Sequence, residues 1–313
     1  MTSDDPDSRT AGSATPTLAA IPLATMALDH VGLVGADMAA MRNAYIALGF
    51  APTEPKALMA RDPVTGTQRS LHQESCHLVF QTGYVELSAL GHAPPTHHLA
   101  AYAGRYEGLH ILALASAALA GMHHRVSEAG LSASPLRFAA RDIAYGERHG
   151  TAQFEWFMLD PAASPDSLLC FVHNLTPELV FQAAVQRHPN SACRLLAVTY
   201  LTTELASSAS VFARLSDLRL PDARLAADRR ELTFALDPGQ LRLCTPDAFI
   251  ARYPGCRVEP APRMAAMTIG VRDLTQVSAH CAAAGIPLQT DGYRVWVDAP
   301  HAAGAIVEFC PCV

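Results

Sequence analysis

"LDHVGLV" (residues 28–34), followed by "DMAAMRNAYIALGF" (37–50), is the stretch that decides how the chain is read. The first run is apolar and strand-like, with one acid and one histidine set into it. Histidine fills a buried strand poorly, because its ring needs hydrogen-bond partners or a metal. In the second run Met38, Met41, Ala44, Tyr45 and Leu48 recur at helical spacing, and Gly49 supplies a C-cap. A turn-rich region leads to two strand-like runs, "CHLVFQTG" and "YVELSAL". The unit therefore reads as strand, helix, then two or three strands, over residues 27–90.

The same order returns three times. "GLHILALAS" (108–116) precedes a helix ending at Gly130 and the extended runs "LRFAARDI", "AQFEWFML" and "SLLCFVHN". "RLLAVTYLTT" (194–203) precedes "ELASSASVFARLSDLRL", "ELTFALD" and "QLRLCTP". "MAAMTIGVRD" (264–273) precedes a helix with Gly285, then "YRVWVDA" and "AIVEFCP". From strand to glycine the interval is 19 residues in the first unit (His30 to Gly49), 20 in the second (His110 to Gly130) and 19 in the fourth (Ala266 to Gly285). A block of this size cannot bury its own sheet face, so the units are expected to pair into curved sheets with helices outside. The expected class is α+β.

Composition agrees with a folded, two-domain chain. The 313 residues are 50% hydrophobic and 17% charged, with net charge −6. Without a Lys/Arg cluster, nucleic acid is not an expected partner. No apolar run reaches the length of a membrane span, so no membrane partner is expected either. Residues 1–25 are acidic and rich in Ser, Thr, Pro and Gly, which predicts a disordered tail without the features of an export signal. The eight cysteines show no CxxC pair and read as reduced thiols of a cytoplasmic protein. Between the halves, "TPELVFQAAVQRHPNSA" (176–192) begins with an N-cap threonine and a proline at the first helical position, and reads as a helical connector. The expected boundaries are 26–175 for the first domain, 176–193 for the connector and 194–313 for the second domain.

Superposing the units places His30 over His110 and Glu86 over Cys170. It places Ala197 and Ala266 at the histidine position of the later units, with Arg242 and Glu308 at the glutamate position. Two imidazoles and one carboxylate on a rigid scaffold make a facial metal site with open positions. His30, Glu86 and His110 are thus the candidate ligands, for Fe2+, Mn2+, Zn2+, Ni2+ or Co2+. The open positions would take a substrate oxygen.

With these residues the chain resembles the vicinal oxygen chelate superfamily, which includes glyoxalase I, extradiol dioxygenases and the fosfomycin and bleomycin resistance proteins. "LDH", "YVEL" and "GLH" match its first- and fourth-strand motifs, and "TPELVFQAAVQRHPN" is similar to a connector in bacterial glyoxalase-like members. The resemblance implies four tandem βαβββ modules in two half-open barrels, and a metal at His30, Glu86 and His110. The fourth family position, often glutamate, holds Cys170 here. His77 and Tyr145 are candidate catalytic residues: His77 precedes Glu86 on the neighbouring strand, and Tyr145 lies in the polar "IAYGERHG". His97-His98 reads as a solvated loop pair, and Glu308 as a relic or structural acid. The expected function is a metalloenzyme of glyoxalase-like lyase, isomerase or dioxygenase type, chelating a small oxygen-bearing substrate and stabilising an enolate or oxyanion. A non-catalytic small-molecule binder or resistance protein of the same fold is the alternative. The later half also offers a surface for a homodimer.

Overall fold

The computed structural model describes residues 26–62, 64–91, 93–216, 223–225 and 230–312. The expected tail, 1–25, lies outside them. The first half contains β1 (Ala27–Gly35), α1 (Met38–Ala47), β2 (Lys56–Arg61), β3 (Gln68–Val79), β4 (Tyr84–Leu90), α2 (Ala100–Ala103), β5 (Gly108–Ala115), α3 (Leu119–Glu128), β6 (Arg137–Ile143), β7 (Gly150–Met158) and β8 (Leu168–Asn174). Its eight strands close into a barrel in the order β1-β4-β3-β2-β6-β7-β8-β5. After α4 (Pro177–Val180), the second half follows as β9 (Ala192–Leu201), α5 (Leu205–Ser216), β10 (Ala223–Leu225), β11 (Glu231–Leu236), β12 (Gly239–Cys244), α6 (Pro246–Arg252), β13 (Arg263–Val271), α7 (Leu274–Ala283), β14 (Gln289–Thr290), β15 (Val295–Val297) and β16 (Ile306–Pro311). Its strands form one eight-stranded sheet, β10-β11-β12-β9-β13-β16-β15-β14. The α+β class and the tandem βαβββ units are as the sequence implies.

Within each unit the first strand pairs in parallel with the last: β1 with β4, β5 with β8, β9 with β12 and β13 with β16. The two first strands of a half then pair antiparallel across a pseudo-twofold axis, β1 with β5 and β9 with β13. Helix α1 starts because Asp37 caps it, its side chain accepting from the Ala40 amide. It buries Met38, Met41 and Tyr45 against the outside of the sheet. Gly49 follows at φ 80, and a Cβ there would come within 2.6 Å of the His280 ring on α7. A left-handed backbone and a close approach thus both require glycine at this position.

The halves are tied by backbone hydrogen bonds, among them Leu28 N–H to Pro238 C=O at 2.9 Å and Gln81 N–H to Cys193 C=O at 3.0 Å. The connector departs from expectation. Helix α4 covers only Pro177–Val180, and the chain beyond it runs in turns. Here tertiary bonds replace helical ones: the Gln182 amide nitrogen donates to the Tyr145, Arg148 and Leu179 carbonyls. The reduced-thiol expectation is also corrected at one pair. Cys193 and Cys312, 119 residues apart in sequence, are joined as a disulfide because β9 and the C-terminal end of β16 both flank β13. No helix of the described residues is long and apolar enough to cross a membrane.

Candidate active site

A small cavity of about 80 Å³ opens inside the first barrel. Its volume would hold a few waters or one small organic molecule. Most of its wall is apolar, from Leu58, Ile111, Phe154, Trp156, Leu168 and Val172. Into it project His30, Gln73, Tyr84, Glu86, His98, Arg141 and Cys170. Convergent polar groups in an apolar barrel interior are the usual signature of a small-molecule site.

The opening histidine is built into this cavity by a β-bulge. Asp29 is the extra residue where β1 shifts register against β5, between Leu28 and His30. In an unbroken strand Asp29 would face away from His30. The bulge instead lets its Oδ1 lie 2.7 Å from His30 Nδ1, while Oδ2 accepts from the Asn174 side chain at 3.1 Å. A carboxylate only accepts, so Nδ1 carries a proton, and the neutral form of the ring presents its lone pair at Nε2. Tyr84 stacks on the ring at 4.4 Å and holds its plane. Nε2 faces Glu86 Oε2 across 3.7 Å, and Glu86 Oε1 is held by the Gln73 amide at 2.8 Å and the Ser88 hydroxyl at 2.6 Å. Two acceptors confront each other over that gap. It fits a donor group from a ligand, or a cation.

His110, expected as the third ligand, is not brought to this point. The β1–β5 register pairs His30 with Ala113 and Gly32 with Ile111, so the pseudo-twofold axis carries His30 onto Ile111. His110 falls instead on the bulge equivalent to Asp29. Aligning the units histidine to histidine is therefore one residue out, and a one-residue slip redirects a strand side chain. Ile111 lines the cavity, whereas the His110 ring stacks on Tyr106 at 4.0 Å with Nε2 2.7 Å from the Tyr106 carbonyl. Arg263 from the second half also lies over Tyr106, 3.9 Å from the ring centre. Burial pushes the His110 imidazole down to about 4, and it is a neutral packing group.

The remaining alignments follow the observed register. Glu86 sits opposite Gly32 and Cys170 opposite Ala113, so these two are equivalent. Ala197 and Ala266 occupy the His30 position of the second half, with Arg242 and Glu308 at the Glu86 position. The four equivalent positions in the first barrel are thus His30, Glu86, Ile111 and Cys170. Burial raises the Cys170 thiol, which favours its neutral form. Among the described residues no group of three His, Cys, Asp or Glu is placed to hold a metal ion.

Of His77 and Tyr145, the candidate catalytic residues, only His77 is hydrogen-bonded to Arg141. His77 is fully buried on β3, and its Nε2 accepts a hydrogen bond from Arg141 Nη1. Burial, then the Arg141 charge and His30, drive His77 well below its ordinary range, so it stays neutral. The Tyr145 hydroxyl donates to the Val180 carbonyl at 3.3 Å; burial raises its pKa and the nearby Arg141 charge opposes the rise. Neither lines the cavity. Sequence reading missed Arg141, Gln73 and the role of Asp29. The only available signal for Arg141 was a cation in the otherwise small and apolar run "RFAARDI". His98, expected in a solvated loop, lies edge-on to Trp156 at 5.2 Å, and burial pushes it down to about 3.

The matching place in the second half is closed by charge pairing. Glu308, 1% exposed, is bound by Arg252 at 2.9 and 3.1 Å, by the Tyr253 hydroxyl at 2.7 Å and by Arg294 at 3.2 Å. Burial alone would raise its carboxyl, but Arg252, the Tyr253 hydroxyl and Arg294 outweigh burial and hold it low. A lowered folded value stabilises the protein above the ordinary carboxylate range, and that contribution is lost as pH falls through it. Glu308→Gln takes the buried carboxylate away from the half-buried Arg252 and Arg294, of which Arg294 keeps Asp291, and is expected to cost about 3 kcal/mol of unfolding free energy near neutral pH. Urea titrations of the two proteins at pH 7 and pH 3 check this: the gap should narrow at the lower pH.

Comparison with known proteins adds the following. A family model described as a glyoxalase-like domain matches residues 28–216. No curated protein matches the chain. Among solved structures, a hypothetical protein from Staphylococcus aureus is similar with a TM-score of 0.60 at 8% identity, covering 92% of this chain and 100% of its own. Homoprotocatechuate 2,3-dioxygenase from Arthrobacter globiformis superposes with a TM-score of 0.52 at 12% identity, over 94% of this chain and 82% of that one. A variant of 4-hydroxymandelate synthase from Streptomyces coelicolor gives 0.51 at 16% identity, over 91% and 92%. At these identities the likeness is one of fold.

Proposed function

Because the chain belongs to the glyoxalase-like domain family, within the vicinal oxygen chelate superfamily, we propose that it is an enzyme acting on a small organic molecule in the first barrel by proton transfer at His30. The observation that carries this reading is the Asp29–His30–Glu86 arrangement: a tautomer fixed by a 2.7 Å bond, with the free Nε2 lone pair aimed into an apolar cavity beside a carboxylate. A base so oriented takes a proton from a carbon or hydroxyl acid seated in the gap, leaving the electron pair as an enolate or oxyanion. The imidazolium that forms is stabilised by Asp29 behind it and Glu86 before it. Returning the proton to another atom completes an isomerisation. Returning it to the same atom gives exchange with solvent.

The divalent cation implied by the resemblance is not well served here. Its donor set would be one imidazole and one carboxylate: Ile111 takes a third position, and among the described residues no group of three His, Cys, Asp or Glu, Cys170 included, is placed to hold a metal. Two protein donors fall short of the three that hold a facial site. No step of the proposed reaction is assigned to a metal.

The reading is tested by incubating the full chain with α-ketoaldehydes and other enolisable carbonyl compounds in D2O and following deuterium uptake by proton NMR. At least one compound should exchange faster than in buffer, and equally fast with His110→Ala. No protein-dependent exchange across the series would overturn it.

A further inference from the structure

Arg141 is a buried cation aimed into the cavity without a counter-ion. It is 5% exposed and lines the wall, yet among the described residues no carboxylate lies within ion-pairing distance of its guanidinium. Its Nη1 is spent on His77, a neutral acceptor, and its plane lies 5.4 Å from the Phe154 ring centre. Its Nη2 is buried and has no hydrogen-bond partner. The two carboxylates nearby are engaged elsewhere: Asp29 by His30 and Asn174, and Glu86 Oε1 by Gln73 and Ser88. An unpaired buried cation is costly, and holding it between a neutral histidine and the Phe154 ring keeps that cost in place rather than relieving it. A ligand with the opposite charge would relieve it.

We propose that Arg141 anchors the carboxylate of the substrate, so that the molecule this site takes is a small monoanionic acid with an apolar body. This rests on the reading of the cavity as the substrate site. The carboxylate would accept from Nη2, and the body would lie against Phe154, Trp156, Ile111 and Leu168. The reactive end is then left toward His30. His77 is a positioning residue, since it acts through Arg141.

The probes are phenylacetate and its uncharged isostere phenylacetamide, with binding to the full chain followed by calorimetry. Wild type should bind the acid about 10- to 100-fold more tightly than the amide, the difference a charge-assisted bond supplies. Arg141→Met should abolish that preference, and Arg141→Lys, which keeps the charge, should retain part of it; thermal melts establish that both are folded. His30→Ala should keep the preference, because the anchor is separate from the base. Equal binding of acid and amide by wild type overturns the proposal, as does a preference that survives Arg141→Met or vanishes in His30→Ala. A preference that follows Arg141 in a protein showing no deuterium exchange leaves the anchor standing and removes only the enzymatic reading.

Discussion

In a His30→Ala variant, turnover of any compound the protein exchanges is expected to fall by about 10²- to 10⁴-fold, the usual contribution of a positioned general base. The size of the effect follows from the geometry around the ring. Asp29 fixes the proton on Nδ1, Tyr84 fixes the plane, and nothing else in the cavity offers a free basic nitrogen in that place. Of the other two imidazoles that come close, His77 has its Nε2 committed to Arg141, and His98 is packed edge-on to Trp156. Asp29→Asn tests the same mechanism from behind. An amide can offer its donor face to Nδ1 and turn the proton onto Nε2, which disables the base without emptying the site. Thermal melts establish that both variants are folded, a check required because His30 is buried, stacks on Tyr84 and bonds the buried Asp29 carboxylate. A His30→Ala protein retaining more than about a tenth of the rate would place the base elsewhere.

Ile111→His should create the metal site that the fold can hold and this sequence does not complete. Position 111 is the pseudo-twofold equivalent of His30, lines the same cavity and stands opposite Gly32, where a Cβ would lie 2.6 Å from the Ile111 side chain. The absence of a side chain at Gly32 therefore leaves position 111 the room it uses. An imidazole there would add a third donor to His30 and Glu86. Structural zinc sites gain roughly 3 kcal/mol per ligand, so affinity for Zn2+ should rise by about 100-fold or more over wild type. Competition titration against a chromophoric chelator measures it. Equal affinity of the two proteins would mean that the cavity cannot gather three donors, and the inferred equivalence of His30 and Ile111 would fail with it. Substituting His110, stacked on Tyr106 outside the cavity, should leave zinc affinity unchanged.

The fold was legible because it is written four times. Strand, helix and closing strands recur at nearly constant intervals, and Asp37, Gly49, Gly130 and Gly285 punctuate them by local chemistry that needs no tertiary context. His30 and Glu86 were legible for a related reason, as polar residues at matching places on strands otherwise too apolar to hold them. What could not be read was register. "LDH" and "GLH" look alike, but the bulge at Asp29 and its counterpart at His110 shift the frame by one residue, and only strand pairing reveals that Ile111 is the partner of His30. Arg141 was hidden differently. Its significance lies in an unpaired nitrogen within a closed barrel, and His77 reaches it from β3, 64 residues away in the chain. The connector is not helical beyond Val180, where Gln182 instead bonds the Tyr145 and Arg148 carbonyls, a tertiary gain that local propensity does not register.

The central claim is that His30 moves a proton with Glu86 beside it and without a third protein donor to hold a metal. Deuterium exchange by wild-type protein, measured before and after exhaustive chelation with the residual metal quantified in the same sample, tests it directly. Exchange should continue at an unchanged rate with far less than one metal ion per chain. Exchange that stops on chelation and returns with a single first-row divalent ion would contradict it.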